Sequence, residues 1–225
     1  MAKKKYYAVR VGRKPGIYNT WAECQKETKG VSGAAFKSFA TREEAMAFVN
    51  PKACFFEENE KDLNILDIYI DGSYEHSRKR YSFGMVIDKP EKITMNKGFD
   101  DERFLTNRNV SGELLGAMYA YQWIIDNQED NTVYQINYDY EGIEKWAMGE
   151  WKTNKALTKC YAIISGLAMK KAKIKFNKVP AHSGVELNEM VDQLAKNALE
   201  YEVSNIDLDF IDFEEVYRDV MMTLS

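Results

Sequence analysis

Between Leu66 and Tyr201 the spacing of apolar residues switches repeatedly between strand and helix periods, and the order of those switches restricts the fold more than any other feature. Leu66-Asp-Ile-Tyr-Ile70 alternates with period two, so Leu66, Ile68 and Ile70 share one face while Asp67, Tyr69 and Asp71 share the other. Residues 81–87 and 93–97 predict two more strands, completing a three-strand meander. Helical spacing runs over residues 112–125 through Leu114, Ala117, Met118, Tyr121 and Ile125, and 133–138 predicts a fourth strand. Helices at 140–148 and 154–171, a strand at 173–179 and a helix at 188–201 complete the series. The order βββαβααβα calls for an α/β architecture, a mixed five-stranded sheet flanked by helices on both faces.

A smaller pattern precedes this body. Residues 5–11 predict a strand, and Gly12-Arg-Lys-Pro-Gly16 a turn. Thr20-Trp-Ala-Glu23 and Thr41-Arg-Glu-Glu44 both have the capping-box form, each opening a short helix with a strand at 34–39 between them. The result is a small α+β unit of ββαβα order. Asn50-Pro51 ends it, and the polar, acidic run from Glu57 to Asn64 reads as linker. The expected division is therefore a head at 1–50, a linker at 51–64, a body at 65–201 and an acidic C-terminal helix or tail at 202–225.

Charge follows the same division. Residues 1–50 hold ten Lys/Arg against four Glu, a net of +6, while the other 175 residues carry a net of −10. A basic head suits a polyanion, and an acidic body can gather carboxylates around something positive. The tail holds seven acids and one arginine, with Ile206, Phe210, Phe213, Val216 and Tyr217 at roughly helical spacing. That stripe predicts a helix docked on the body; the alternative is a tail that mimics nucleic-acid charge and competes for the head.

Several classes are excluded. With 45% hydrophobic residues the chain is no solvated disordered polymer. It has no apolar run of about 18 residues, and the basic start Met1-Ala-Lys-Lys-Lys is followed by no apolar secretory core. Cys24, Cys54 and Cys160 are far apart, and only His76 and His182 could join them. Neither a disulfide framework nor a structural zinc is expected, and the reading is a cytoplasmic protein.

Four acids stand at telling places: Asp71 closing the first body strand, Glu113 opening the first long helix, Asp139 closing the fourth strand and Asp192 on the last body helix. Ligands of open α/β sheets gather beyond the carboxyl ends of neighbouring strands. If strands one and four are parallel neighbours, their aspartates meet there, and carboxylates so close need a cation between them. Taken singly, each acid reads equally as a surface charge or a turn former.

The surrounding residues decide more. Tyr69-Ile-Asp-Gly-Ser73, Asn107-Arg-Asn-Val-Ser-Gly-Glu113, Tyr138-Asp139, His182-Ser-Gly184 and Asn188-Glu-Met-Val-Asp192 stand in this order in the body. The head carries Tyr6-Tyr-Ala-Val-Arg10, Gly12-Arg-Lys-Pro-Gly16, Thr20-Trp21 and Phe36-Lys37. The ordered set closely resembles a type 1 ribonuclease H with an N-terminal hybrid-binding, or viroplasmin-like, domain. The resemblance implies an endonuclease that cuts the RNA strand of RNA–DNA hybrids by two-metal-ion catalysis, leaving 5′-phosphate and 3′-hydroxyl ends. Asp71, Glu113, Asp139 and Asp192 match its metal-binding acids, with Asp71 bridging two Mg²⁺ ions, for which Mn²⁺ can substitute. His182 matches a mobile histidine that handles a proton or releases product; a satisfied loop histidine is the alternative.

The same resemblance assigns RNA-strand contacts to Ser73, Asn109, Gly112 and Glu141. Glu141 replaces a common Gln, and a carboxylate accepts but cannot donate. Only nine residues separate Trp146 from Ala156, leaving no long basic protrusion. Lys145, Lys152 and Lys155, with Trp146 and Trp151, then line a DNA channel, or the tryptophans are core. Trp21 and Phe36 match aromatics that flank a DNA sugar, with Lys37 on the phosphate; for these rings too core packing is the alternative. Ser38 replaces a second lysine. The implied partner is an RNA–DNA hybrid, with no membrane and no obligate protein partner, the chain acting as a monomer. Removal of RNA primers and R-loops is the implied work. A catalytically dead hybrid- or double-stranded-RNA-binding protein is the alternative class, and a transposase or junction resolvase a third, against which the head motifs weigh.

Overall fold

The computed structural model describes residues 5–31, 33–49, 63–180 and 185–224. These divide into two compact units, at 1–62 and 63–225. No helix among the described residues is long and apolar enough to cross a membrane.

In the first unit β1 (Tyr6–Val11), β2 (Gly16–Tyr18), α1 (Trp21–Thr28), β3 (Ala35–Phe39) and α2 (Arg42–Val49) follow the ββαβα order. The strands form an antiparallel sheet in the order β2-β1-β3. Both capping boxes form. Thr20 Oγ1 accepts from the Glu23 N–H at 3.3 Å while Glu23 Oε2 accepts from the Thr20 N–H at 3.1 Å, and Thr41 and Glu44 exchange the same pair at 3.2 and 3.3 Å. Each satisfies donors that a helix start leaves open. The core of this unit is small: Ala8, Val9, Cys24 and Ala45 are its fully buried apolar residues among those described.

The second unit is built on β4 (Asn64–Glu75), β5 (Arg80–Ile87), β6 (Ile93–Phe99), β7 (Thr132–Tyr138) and β8 (Ile174–Lys178). Their order is β6-β5-β4-β7-β8, with β4–β5 and β5–β6 antiparallel and β4–β7 and β7–β8 parallel. This is the mixed five-stranded sheet that the periodicity predicts. Ile68, Ile70, Phe83, Met85, Ile136 and Tyr138 point into the main core, which α3 (Asn109–Asp126) and α5 (Ala156–Lys171) cover. On the other face α6 (Glu186–Ala198) lies against β4 and β5, burying Val86, Leu187 and Val191 together. The short α4 (Gly142–Ala147) follows β7.

Several boundaries differ from the sequence reading, among them the start of α3, at Asn109 rather than 112, the end of α6, at Ala198 rather than 201, and both ends of β4. β4 begins at Asn64, inside the stretch read as linker, and runs on to Glu75 rather than stopping near Asp71. Its pairing with β7 ends at Tyr69, but its hairpin with β5 continues to Glu75, and that edge carries the strand onward. The tail forms α7 (Phe213–Leu224), with Phe213 and Val220 buried against the body core.

Candidate active site

Strand β4 and its parallel neighbour β7 deliver Asp71 and Asp139 to the same end of the sheet. Asp71 lies two residues past the last β4–β7 pair, Tyr69–Asn137, and Asp139 directly follows β7. Glu113 reaches them from the second turn of α3. That approach depends on two glycines. A Cβ on Gly72 would strike the Glu113 backbone nitrogen and, at 2.6 Å, the Asn109 carbonyl oxygen; one on Gly112 would strike the Ser82 carbonyl. Without side chains at these points, helix and hairpin backbones come close enough to bury a carboxylate between them.

Carboxylate oxygens of Asp71, Glu113 and Asp139 lie within 4.8 Å of one another. Asp71 is 8% exposed and Glu113 only 2%. Burial, then the Asp139 and Asp192 charges, push the Asp71 carboxyl up to about 6 against the pull of the Gly72 N–H, which donates to Asp71 Oδ1 at 2.8 Å. Burial first, then the Asp71 and Asp139 charges, raise Glu113 well above the usual carboxylate range. Glu113 Oε2 is buried with no hydrogen-bond partner among the described residues. An orphaned acceptor beside two more carboxylates is a costly arrangement for a protein alone. It is the hard, all-oxygen donor set that a divalent cation takes, so the residues suit a metal ion.

Asp192 lines the same cavity of about 350 Å³, together with Asp71, Asn109, Glu113 and Asp139. One of its oxygens accepts from Lys196 Nζ at 2.6 Å. Among the other predicted residues, Ser73 pairs with Ser82 in the β4–β5 hairpin, and Gly112 packs on the Ser82 carbonyl. Glu141 is exposed at the start of α4, 3.8 Å from Lys178. His182 lies outside the described residues.

Sequence reasoning gave no role to three side chains that line this cavity: Tyr140, and Asn188 and Glu189, which it quoted only within the run to Asp192. Their signal was proximity, Tyr140 following Asp139 and the other two standing one turn before Asp192 on a helix. Tyr140 also walls a second cavity of about 340 Å³, shared with Asn107, Trp146, Lys152 and Lys155. Trp146 is half-buried, its ring 5.5 Å from that of Trp151, which is 39% exposed. Lys145 pairs with Glu150 at 2.6 Å.

In the first unit Trp21 and Phe36 are 46% and 42% exposed, their ring centroids 5.6 Å apart. They are a surface pair rather than core. Tyr7 extends it, 5.8 Å from Trp21, and was not singled out from the sequence. Alternation along β3 turns Lys37 to the opposite face, where its Nζ stands 5.6 Å from the Phe39 ring centroid.

Known proteins share both units. Residues 64–200 match the RNase H family, and residues 5–49 match the family described as Ribonuclease H1 N-terminal domain. A ribonuclease H from Crithidia fasciculata is 51% identical over 107 residues, 44% of this chain and 22% of that protein. A ribonuclease H from Pseudoalteromonas translucida is 29% identical over 143 residues, 59% of this chain and 88% of that protein. The chain thus spans about a fifth of the Crithidia relative. The N-terminal RNase H domain of a Mycobacterium tuberculosis protein, solved as a fusion with maltose binding protein, superposes with a TM-score of 0.50 at 14% identity. That alignment covers 60% of this chain and 94% of the other, a likeness of fold.

Proposed function

Because the chain belongs to the ribonuclease H family, we propose that it is an endonuclease that hydrolyses the RNA strand of RNA–DNA hybrids. The observation that carries this reading is the cluster of Asp71, Glu113 and Asp139, the first two buried, in which Asp71 and Asp139 stand at the carboxyl ends of adjacent parallel strands. With Asp192 these acids would hold two Mg²⁺ ions, or Mn²⁺ in their place. Bound there, the ions would supply Lewis-acid activation of a water and charge neutralisation at the scissile phosphate.

The chain's own groups do the rest. The four carboxylates confine the site and repel any phosphate in the absence of a cation, so cleavage requires the metal. Asn109, which borders the cavity, and the backbone around Gly112 read RNA through its 2′-hydroxyls in the wide minor groove. Ser73 and Glu141 extend that contact, Glu141 as acceptor only. His182 moves a proton to the leaving oxygen, and hydrolysis is an in-line attack by water giving 5′-phosphate and 3′-hydroxyl ends. Trp21 and Phe36 hold the DNA strand through its sugar, a contact that carries no base sequence, while Lys37, turned to the other face of β3, adds positive charge that draws the phosphates toward the head.

The test uses a hybrid labelled in turn on each strand, with RNA and DNA duplexes as controls. Cuts confined to the hybrid's RNA, with 5′-phosphate ends, support the reading. Tight binding of the hybrid with no cut in either metal replaces it with a binding protein.

A further inference from the structure

Residues 202–224 lie beyond the segment that matches the family, and they are fastened to the body at successive points. Val203 bridges Gly98 at the end of β6, and the Ser204 N–H donates to the Gly98 carbonyl at 2.8 Å. The Asp207 N–H donates to the Tyr119 hydroxyl at 3.0 Å and the Phe210 N–H to Gln122 Oε1 at 2.8 Å, both on α3. Then α7 begins.

What α7 grips is Arg103, in the loop that leads into α3. Arg103 Nη1 and Nη2 donate to the Glu214 carboxylate at 2.7 and 2.6 Å. Its Nε and Nη2 donate to Asp101 at 2.9 and 2.6 Å. The guanidinium carbon stands 4.6 Å from the Tyr217 ring centroid and 5.2 Å from that of Phe104. Phe104, only 1% exposed, meets Phe213 and Tyr217 edge-on at 6.0 and 5.5 Å.

From Phe104 the path to the cavity is short. Its carbonyl accepts from Ser111 Oγ at 2.7 Å, inside the first turn of α3. Between them the chain turns at Arg108, which has φ 55° and ψ −132°. A non-glycine residue is kept in such a conformation only by its surroundings. Asn109 follows, on the cavity wall, and Glu113 lies one turn further. An exposed ion pair is worth little by itself, but this one is a bidentate fork seated between rings and tied to a strained turn.

We propose that Arg103, clamped by Glu214 and Tyr217 of α7, is a positioning residue for the reaction, fixing residues 104–113 so that Asn109 and Glu113 meet substrate in one geometry. This rests on the hybrid-cleavage reading and gives the acidic segment a task in it. Arg103 spends its donors on two carboxylates, so it acts through the loop rather than on a phosphate. Misplacing a substrate-positioning group by about 1 Å can cost roughly a hundredfold in rate, so a partial loosening shows in turnover before it shows in folding.

The test uses the full chain with Glu214→Gln, Glu214→Ala, Arg103→Ala and the Arg103/Glu214 double alanine variant. It reads kcat and KM on a hybrid, and amide hydrogen exchange. Expected are a fall in kcat of roughly five- to tenfold for each alanine variant, KM within about twofold, and no further loss in the double variant. Exchange should rise over 104–113 while β4 and β7 keep their protection. If Arg103→Ala fails to fold, Glu214→Gln, at a half-exposed side chain, still reports the exchange. A tail that merely repels nucleic acid predicts a lower KM and unchanged kcat for Glu214→Ala, which would overturn the proposal. Unchanged exchange over 104–113, or a rise spread over β4 and β7 alike, would also overturn it. A wild type inert on hybrid defeats the cleavage reading, while the exchange result still judges the clamp.

Discussion

In the head Trp21 and Phe36 leave 46% and 42% of their surface exposed on a three-stranded sheet, whereas in the body Asp71 and Glu113 are withdrawn to 8% and 2%. Each unit departs from what stability alone would choose, in opposite directions. An exposed aromatic pair forgoes burial in a unit with little core to spare. Buried carboxylates forgo hydration in a unit with core to spare. The larger sheet can carry the costlier departure. On the proposed reading, an exposed aromatic pair suits reversible binding to a charged backbone, and withdrawn carboxylates suit chemistry that needs acids held in place.

The largest expected effect breaks the comparison on the body side. Asp71→Asn removes one carboxylate from the cluster and should lower hybrid cleavage by about a thousandfold or more, while hybrid affinity stays within a few-fold because the head is untouched. Cleavage assays and a binding titration on the same variant check both halves. Loss of binding in step with cleavage would say that the two units do not divide the work.

On the head side, Trp21→Ala with Phe36→Ala should weaken hybrid binding roughly thirtyfold or more, since each ring platform is worth ~1–3 kcal/mol. Single-turnover cleavage at saturating hybrid should hold. Because both rings are surface residues, circular dichroism should show an intact head. The remaining affinity should fall steeply with salt.

A third prediction sharpens the cost of the buried acids. Burial and Asp139 lift the Asp71 carboxyl to about 6 from its ordinary 3.8. A folded value above the unfolded one contributes stability that is fully present below about pH 4 and lost as pH rises through about 6. Metal-free protein should therefore melt at a lower temperature at pH 7 than at pH 5. Asp71→Asn should flatten that profile and stabilise the metal-free chain at pH 7 by on the order of 1–3 kcal/mol. Scanning calorimetry in chelator decides it, and saturating divalent ion should abolish the difference.

The smallest effect falls on Glu141. Restoring a donor with Glu141→Gln should change KM for hybrid by only a few-fold, the worth of one hydrogen bond, with kcat unaltered.

Much of this was legible in the sequence, for a physical reason. Alternation in Leu66 to Ile70 reports which face of a strand is buried, and the helix-period runs report what covers it, so the mixed sheet and its helical layers follow, whereas the strand order comes from the structure. Thr20-Trp-Ala-Glu23 is a local rule and formed locally. The parallel pairing that brings Asp71 beside Asp139 is only a condition in the sequence, one that the helix between their strands permits, and the structure supplies it. The rest depends on contacts that no local pattern carries. The extension of β4 to Glu75 is set by a hairpin partner. Tyr140 and Glu189 wall the cavity because two distant elements converge. The grip of Glu214 on Arg103 joins residues 111 positions apart. Charge counting shows the tail to be acidic, but only the fold shows where one of those acids is used.

The most direct measurement is the rate of RNA cleavage in an RNA–DNA hybrid by wild type and Asp71→Asn across a Mg²⁺ titration, with EDTA as the metal-free point. The account predicts cuts in the RNA strand alone that rise with Mg²⁺, vanish in EDTA and are lost in the variant. Cleavage that persists in EDTA, or that Asp71→Asn leaves at the wild-type rate, would contradict it.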